Sequence, residues 1–186
     1  HTRLQGDWSS DVCSSDLENE RIMLCAFTNR AVDELCAAVD SLNLPFIRLG
    51  SKHATAFPHS SLQYLSETMS LEDLRSEICS SRIIISTVST VHTHTEIHEW
   101  FSTTTMIIDE ASQLLEPQVS GILMHTKRFI LIGDERQLPA VITQDIRGTK
   151  LQHPLFEDIA LSDFRHSLFE RLLKLCMRNE IGRAHV

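Results

Sequence analysis

The run Met106-Ile107-Ile108-Asp109-Glu110-Ala111-Ser112-Gln113 decides how this chain is read. Apolar residues of strand length stop abruptly at two adjacent carboxylates. A buried parallel strand delivers chemistry at its carboxyl end in this way. A second run, Phe129-Ile130-Leu131-Ile132-Gly133-Asp134-Glu135-Arg136-Gln137-Leu138-Pro139, repeats the pattern and adds a glycine turn, a carboxylate and an amide.

Outward from these two strands, Arg21 to Phe27, Pro45 to Leu49 and Arg82 to Thr87 also read as strands. Helical spacing covers Asn29 to Leu42, with Ala31, Val32, Leu35, Cys36, Val39 and Leu42 along one side. Shorter helices are expected over Leu71 to Cys79 and Glu116 to His125, and a last amphipathic one over Ser162 to Arg178, with Phe164, Leu168, Leu172, Leu173 and Leu175 available for burial. Ser51 to Ser70 is polar and reads as an irregular surface excursion. Strands that alternate with helices imply an α/β domain with a mainly parallel sheet.

The residue types at the strand ends suggest a chemistry. Asp109 and Glu110 suit the holding of Mg²⁺ and the activation of a water. A plainer reading is also open, in which the acids sit favourably at a helix N-terminus. Likewise Gly133 to Arg136 alone is an ordinary turn, and Thr28 or Asn29 alone is a helix cap.

Taken together, the runs resemble motifs II and III of superfamily 1 nucleic-acid helicases, in the branch whose motif II reads Asp-Glu-Ala-Ser-Gln. Met23 to Asp33 (Met-Leu-Cys-Ala-Phe-Thr-Asn-Arg-Ala-Val-Asp) resembles motif Ia, and Arg82 to Val91 the segment that follows, in the same order. The resemblance implies a P-loop NTPase (RecA-like) α/β fold with helices on both sheet faces. It also implies ATP and Mg²⁺ as cofactors and single-stranded DNA or RNA as partner. In that frame Asp109 holds the metal, Glu110 polarises the attacking water, and Gln137 senses the γ-phosphate. Asp134 and Gln113 belong to the nucleotide site; Thr28, Asn29, Thr87 and Thr90 face the strand. Where family members commonly carry a second proline after Leu-Pro, Ala140 stands here.

One expected part is missing. A phosphate-cradling loop needs Gly-x-x-x-x-Gly-Lys-[Ser/Thr], and no Gly-Lys pair occurs anywhere in the chain. The sheet is therefore expected to lack its phosphate-loop strand, and the chain alone to be inactive.

The two ends are related to each other. Asp11-Val12-Cys13-Ser14-Ser15-Asp16-Leu17 can be written GAC GTG TGC TCT TCC GAT CTN, whose reverse complement encodes Glu180-Ile181-Gly182-Arg183-Ala184-His185-Val186. Ends of a natural gene have no physical reason to be antisense copies, and the string resembles a sequencing adapter. Residues 1–17 and 180–186 are accordingly expected to be artefactual or unplaced, leaving 18–179 as a partial helicase domain.

Composition sets wider bounds. With 186 residues and 42% hydrophobic content the chain can build one real core. The net charge is −8; setting aside the adapter-like Asp7 to Leu17 and Glu180 to Val186 removes Asp7, Asp11, Asp16, Glu180 and Arg183 and leaves −5. That argues against a generic basic nucleic-acid surface and leaves room for a narrow strand track. Cys25, Cys36, Cys79 and Cys176 form no Cys-x-x-Cys pair and read as buried thiols of a reducing, cytoplasmic compartment. No apolar run is long enough for a membrane span, so no membrane partner is expected. His92, His94 and His98 lack the further ligands of a zinc site. Two rival readings remain: a metal-dependent phosphoesterase built on Asp109, Glu110, Asp134 and histidines, and a non-catalytic nucleic-acid-binding fragment.

Overall fold

The computed structural model describes residues 2–3, 20–134, 145, 148–151 and 153–178. Among them runs a six-stranded sheet. Its strands are β1 (Thr2–Arg3), β2 (Ile22–Ala26), β3 (Ile47–Arg48), β4 (Ile83–Thr87), β5 (Thr105–Ile108) and β6 (Arg128–Gly133), in the spatial order β1-β6-β5-β2-β4-β3. The strands β2 to β6 are mutually parallel; β1 alone is antiparallel, with Thr2 opposite Gly133 and Arg3 opposite Ile132. The expected α/β class with a mainly parallel sheet is what forms. Two residues of β1 are all that pairs with the outer edge of β6 among the described residues.

Side-chain alternation sorts the strands between two apolar layers. Met23, Cys25, Ile84, Met106 and Ile108 enter the larger one, closed by α3 (Leu71–Ser80), α4 (Val88–Thr93), α5 (Ile97–Trp100), α6 (Glu116–Leu123) and α8 (Leu168–Arg178). Ala26 and Ile85 face the other side, under α1 (Asn29–Ser41), which contributes Val32, Cys36 and Val39. Helices thus cover both faces. At the edge opposite the site, Glu20 accepts from the hydroxyls of Thr104 and Thr105 at 2.7 and 2.8 Å and pairs with Arg128, tying the starts of three strands together.

Several expectations need correction. The excursion after Gly50 is partly ordered into α2 (Leu62–Thr68). Ser61 caps that helix, its Oγ accepting from the N–H of Tyr64 at 3.2 Å. Seven residues are too few for apolar periodicity to announce a helix. After the short helix α7 (Pro154–Asp158), the last helix starts at Leu168, because the Asp163 carboxylate takes the Arg165 backbone N–H at 3.0 Å and its Nε at 2.8 Å and turns the chain first. Phe164 is consequently exposed. Leu42 lies beyond α1 in a turn and is 67% exposed. Cys25 and Cys36 are buried as expected, their thiols pushed up to about 12 chiefly by burial; Cys79 and Cys176 are only half-buried.

Candidate functional site

Register brings four strand ends to one edge of the sheet. Ile108 pairs with both Cys25 and Leu131, and Ala26 with Thr87. Across that edge therefore lie, in order, Gly133 and Asp134 after β6, Asp109 and Glu110 after β5, Thr28 and Asn29 after β2, and Thr87 to Thr90 after β4.

The carboxylate pair is held in an unusual turn. Asp109 continues the ladder, its N–H donating to the Cys25 carbonyl at 2.8 Å. Its Oδ1 then accepts the N–H of Glu110 at 2.9 Å. Glu110 sits at φ 54°, ψ 31°, in the left-handed region. For a residue with a Cβ that conformation costs roughly 1–2 kcal/mol. The turn then closes as a short 3₁₀ segment, Ala111–Gln113, with the Gln113 N–H on the Glu110 carbonyl at 2.9 Å. Oε2 of Glu110 is buried with no hydrogen-bond partner. Burial first, then the nearby charges of Asp109 and Glu34, raise its carboxyl above the ordinary carboxylate range. An unpartnered, proton-hungry oxygen at a strand end has the makings of a general base.

Gly133 supports this turn from β6. A Cβ there would come within 3.1 Å of the Ser112 backbone nitrogen and 3.4 Å of the Phe169 ring. Phe169, fully buried on α8, thus closes the layer beneath the turn. Asp134 follows directly and is half-buried; Gln113 is half-buried on the turn itself. Gln137 lies outside the described residues.

The other half of the edge is built from helix starts. Thr28 caps α1, its Oγ1 accepting from the Ala31 N–H at 3.1 Å. Thr28 and Asn29 are both exposed, beside the exposed ring of Phe27. Thr87 caps α4, its Oγ1 2.8 Å from that of Thr90 and 3.1 Å from the Thr90 nitrogen. Thr87 is buried and Thr90 half-buried, so capping occupies the Thr87 hydroxyl and Thr90 is the more accessible.

An AAA domain family matches residues 62–145. The DNA replication ATP-dependent helicase/nuclease DNA2 of Mus musculus is 30% identical over 151 residues, spanning 73% of this chain and 13% of that protein. Its namesake in Saccharomyces cerevisiae is also 30% identical, over 75% of the chain and 9% of its own length. The helicase/nuclease JHS1 of Arabidopsis thaliana is 28% identical over 68% of the chain. Over about three quarters of its length the chain is similar to these ATP-dependent helicase/nucleases. It spans about a tenth of the length of these relatives. The Pif1 helicase of Candida albicans aligns at 12% identity over 69% of the chain, with a TM-score of 0.21.

The donor set at the carboxylate turn has a definite preference. No group of three or more His, Cys, Asp or Glu that could hold a metal occurs among the described residues. One half-buried carboxylate, Asp109, does fit Mg²⁺, which keeps much of its hydration shell and shares its remaining positions with phosphate. His98 and His125 stack instead, ring centroids 4.2 Å apart. No helix among the described residues is long and apolar enough to cross a membrane.

Sequence reading saw Gly133 only as a turn and missed three further residues of this edge. Gly133 and Phe169 shape the carboxylate turn, and Glu34 adds charge to Glu110; only the folded chain brings them together. The third missed residue is Arg48, which reaches Asn29 from β3 with a side chain 1% exposed.

Proposed function

We propose that this chain is the part of a superfamily 1 helicase that joins ATP hydrolysis to a single-stranded nucleic acid. Residues 18–179 would form part of the first RecA-like domain, and the intact protein would be an ATP-dependent helicase acting on single-stranded DNA or RNA. The observation that carries the reading is the shared sheet edge: a strained, half-buried carboxylate turn adjoins an exposed Phe-Thr-Asn corner one strand away. The namesakes are DNA replication helicase/nucleases, which favours DNA over RNA.

In this reading Asp109 holds Mg²⁺ through its hydration shell, and the metal supplies charge neutralisation at the phosphates. Glu110 orients a water and takes its proton; its raised carboxyl keeps proton affinity high at the strand end. Asp134 and Gln113 flank the nucleotide, and Gln137 reports its γ-phosphate. Thr28, Asn29 and Thr90 meet the sugar-phosphate backbone, Thr87 chiefly orders the Thr90 corner, and the Phe27 ring offers a face for a base. The phosphate-gripping loop, which the chain lacks, would come from sequence outside it.

The test is ATP turnover by the intact protein with and without single-stranded DNA and RNA. Turnover that rises with either polymer is expected. Turnover indifferent to both defeats the helicase reading and returns a phosphate-processing enzyme of another kind to favour.

A further inference from the structure

Among the described residues, Arg48 is the largest side chain that is completely buried. Burying a guanidinium is costly unless its donors are met. Here Nε donates to Asp33 Oδ1 at 3.1 Å, Nη2 to Asn29 Oδ1 at 3.0 Å, and Nη1 to the Leu49 carbonyl at 3.3 Å. Asn29 and Asp33 are four residues apart on α1 and so share one face of its first turns. Asp33 extends the link, accepting from the Thr55 hydroxyl at 2.7 Å and the Ala56 N–H at 3.2 Å. Gly50, at φ 118°, leaves the space: a Cβ there would come within 3.2 Å of Arg48 Nη1.

The chemistry of this contact fixes a direction. A guanidinium can only donate, so the oxygen of the Asn29 amide must face Arg48 and its NH₂ must face away. Asn29 is exposed, at the corner proposed to meet the strand. We infer that Arg48 is a positioning residue. It locks Asn29 with two donors outward, the polarity that suits the acceptor-only oxygens of a phosphodiester backbone. The inference rests on the proposed strand contact at Thr28 and Asn29 and adds the residue that orients it.

Lysine at position 48 would keep the charge but lose the planar fork that holds Asn29 and Asp33 together. The experiment uses the intact protein, a short oligothymidylate as probe, and the variants Asn29→Ala, Arg48→Lys and the double variant. Two quantities are read: the oligonucleotide concentration that half-saturates ATPase stimulation, and the turnover at saturation. A lost hydrogen bond to a charged group corresponds to roughly tenfold in affinity. Asn29→Ala and Arg48→Lys should each raise the half-saturating concentration by about that factor, a larger change than either makes in turnover at saturation. In the double variant the two losses should not add. Should Arg48→Lys fold poorly, Asp33→Asn loosens the same clamp from its half-buried partner and is expected to behave alike, with no further effect in an Asn29→Ala background. Unchanged half-saturation in Asn29→Ala, or additive losses in the double variant, would overturn the assignment while leaving the helicase reading intact. A wild-type protein that binds no oligonucleotide overturns the helicase reading itself, and this assignment with it.

Discussion

Gly133 lies against the backbone nitrogen of Ser112, close enough that an added Cβ would meet it at 3.1 Å. Two strand ends of the candidate site are therefore in main-chain contact, and the fit depends on a missing side chain. Backbone cannot swing aside as a flexible side chain can. Gly133→Ala should cost about 1–3 kcal/mol of stability through overpacking and slow ATP turnover by shifting the Asp109–Glu110 turn. Denaturant melts and turnover assays on the intact protein check this; an alanine variant with wild-type values in both would show that the turn tolerates displacement.

Glu110→Gln should leave nucleotide binding nearly intact while lowering hydrolysis on the order of 10²–10⁴. The amide keeps the shape of the side chain but cannot take a proton. Equilibrium binding of ATP beside steady-state turnover separates the two effects, and a parallel loss of both would remove the base role from this residue.

The same substitution has a pH signature. Burial, then Asp109 and Glu34, raise the Glu110 carboxyl in the folded protein. A raised acid holds its proton more tightly folded than unfolded. Its stabilisation is full below the ordinary carboxylate range and is lost as pH rises through the raised value. At neutral pH the ionised group therefore opposes folding. Glu110→Gln should raise the melting temperature near neutrality, with the gain shrinking toward about pH 4, where the wild-type acid is protonated. A gain that grew on acidification would contradict the burial argument.

Asp109→Ala should weaken Mg²⁺-dependent nucleotide binding as well as turnover, because it removes a metal ligand rather than a proton acceptor. Gln137→Ala should instead reduce stimulation by single-stranded nucleic acid more than affinity for ATP. Magnesium titrations of ATP binding, set beside oligonucleotide titrations of turnover, distinguish the two patterns; identical profiles for both variants would dissolve the division of roles.

Arg171 grips Glu116 with two bonds, Nε to Oε2 at 2.7 Å and Nη2 to Oε1 at 2.6 Å, and donates to the Ile159 carbonyl at 2.8 Å. Both side chains are largely buried. Arg171→Ala strands the Glu116 carboxylate and should cost roughly 3 kcal/mol. Since α8 carries Phe169 beneath the carboxylate turn, turnover should fall as well. Thermal melts test the first part, and recovery of stability in the double variant Arg171→Met, Glu116→Leu would show that the loss comes from the stranded charge.

By itself the sequence determined the α/β class, the strands β5 and β6 nearly to the residue, and the residue types that end them. Those features are local. Apolar runs of strand length and carboxylates at their ends are legible without knowing what lies opposite. The short helix Leu62–Thr68 and the turn before Leu168 were not legible, because capping hydroxyls and a carboxylate on a backbone N–H decide them rather than periodicity. Only the tertiary structure decided the order β6-β5-β2-β4, which places the carboxylate turn beside the Thr28–Asn29 corner. It alone put Glu110 in the left-handed region, set Gly133 against Ser112, and brought Arg48 onto Asn29 across nineteen positions of chain. Spacing along a chain carries no trace of such contacts. They exist because parallel strands separated by crossovers must share one register, and buried charges must find their partners wherever that register places them.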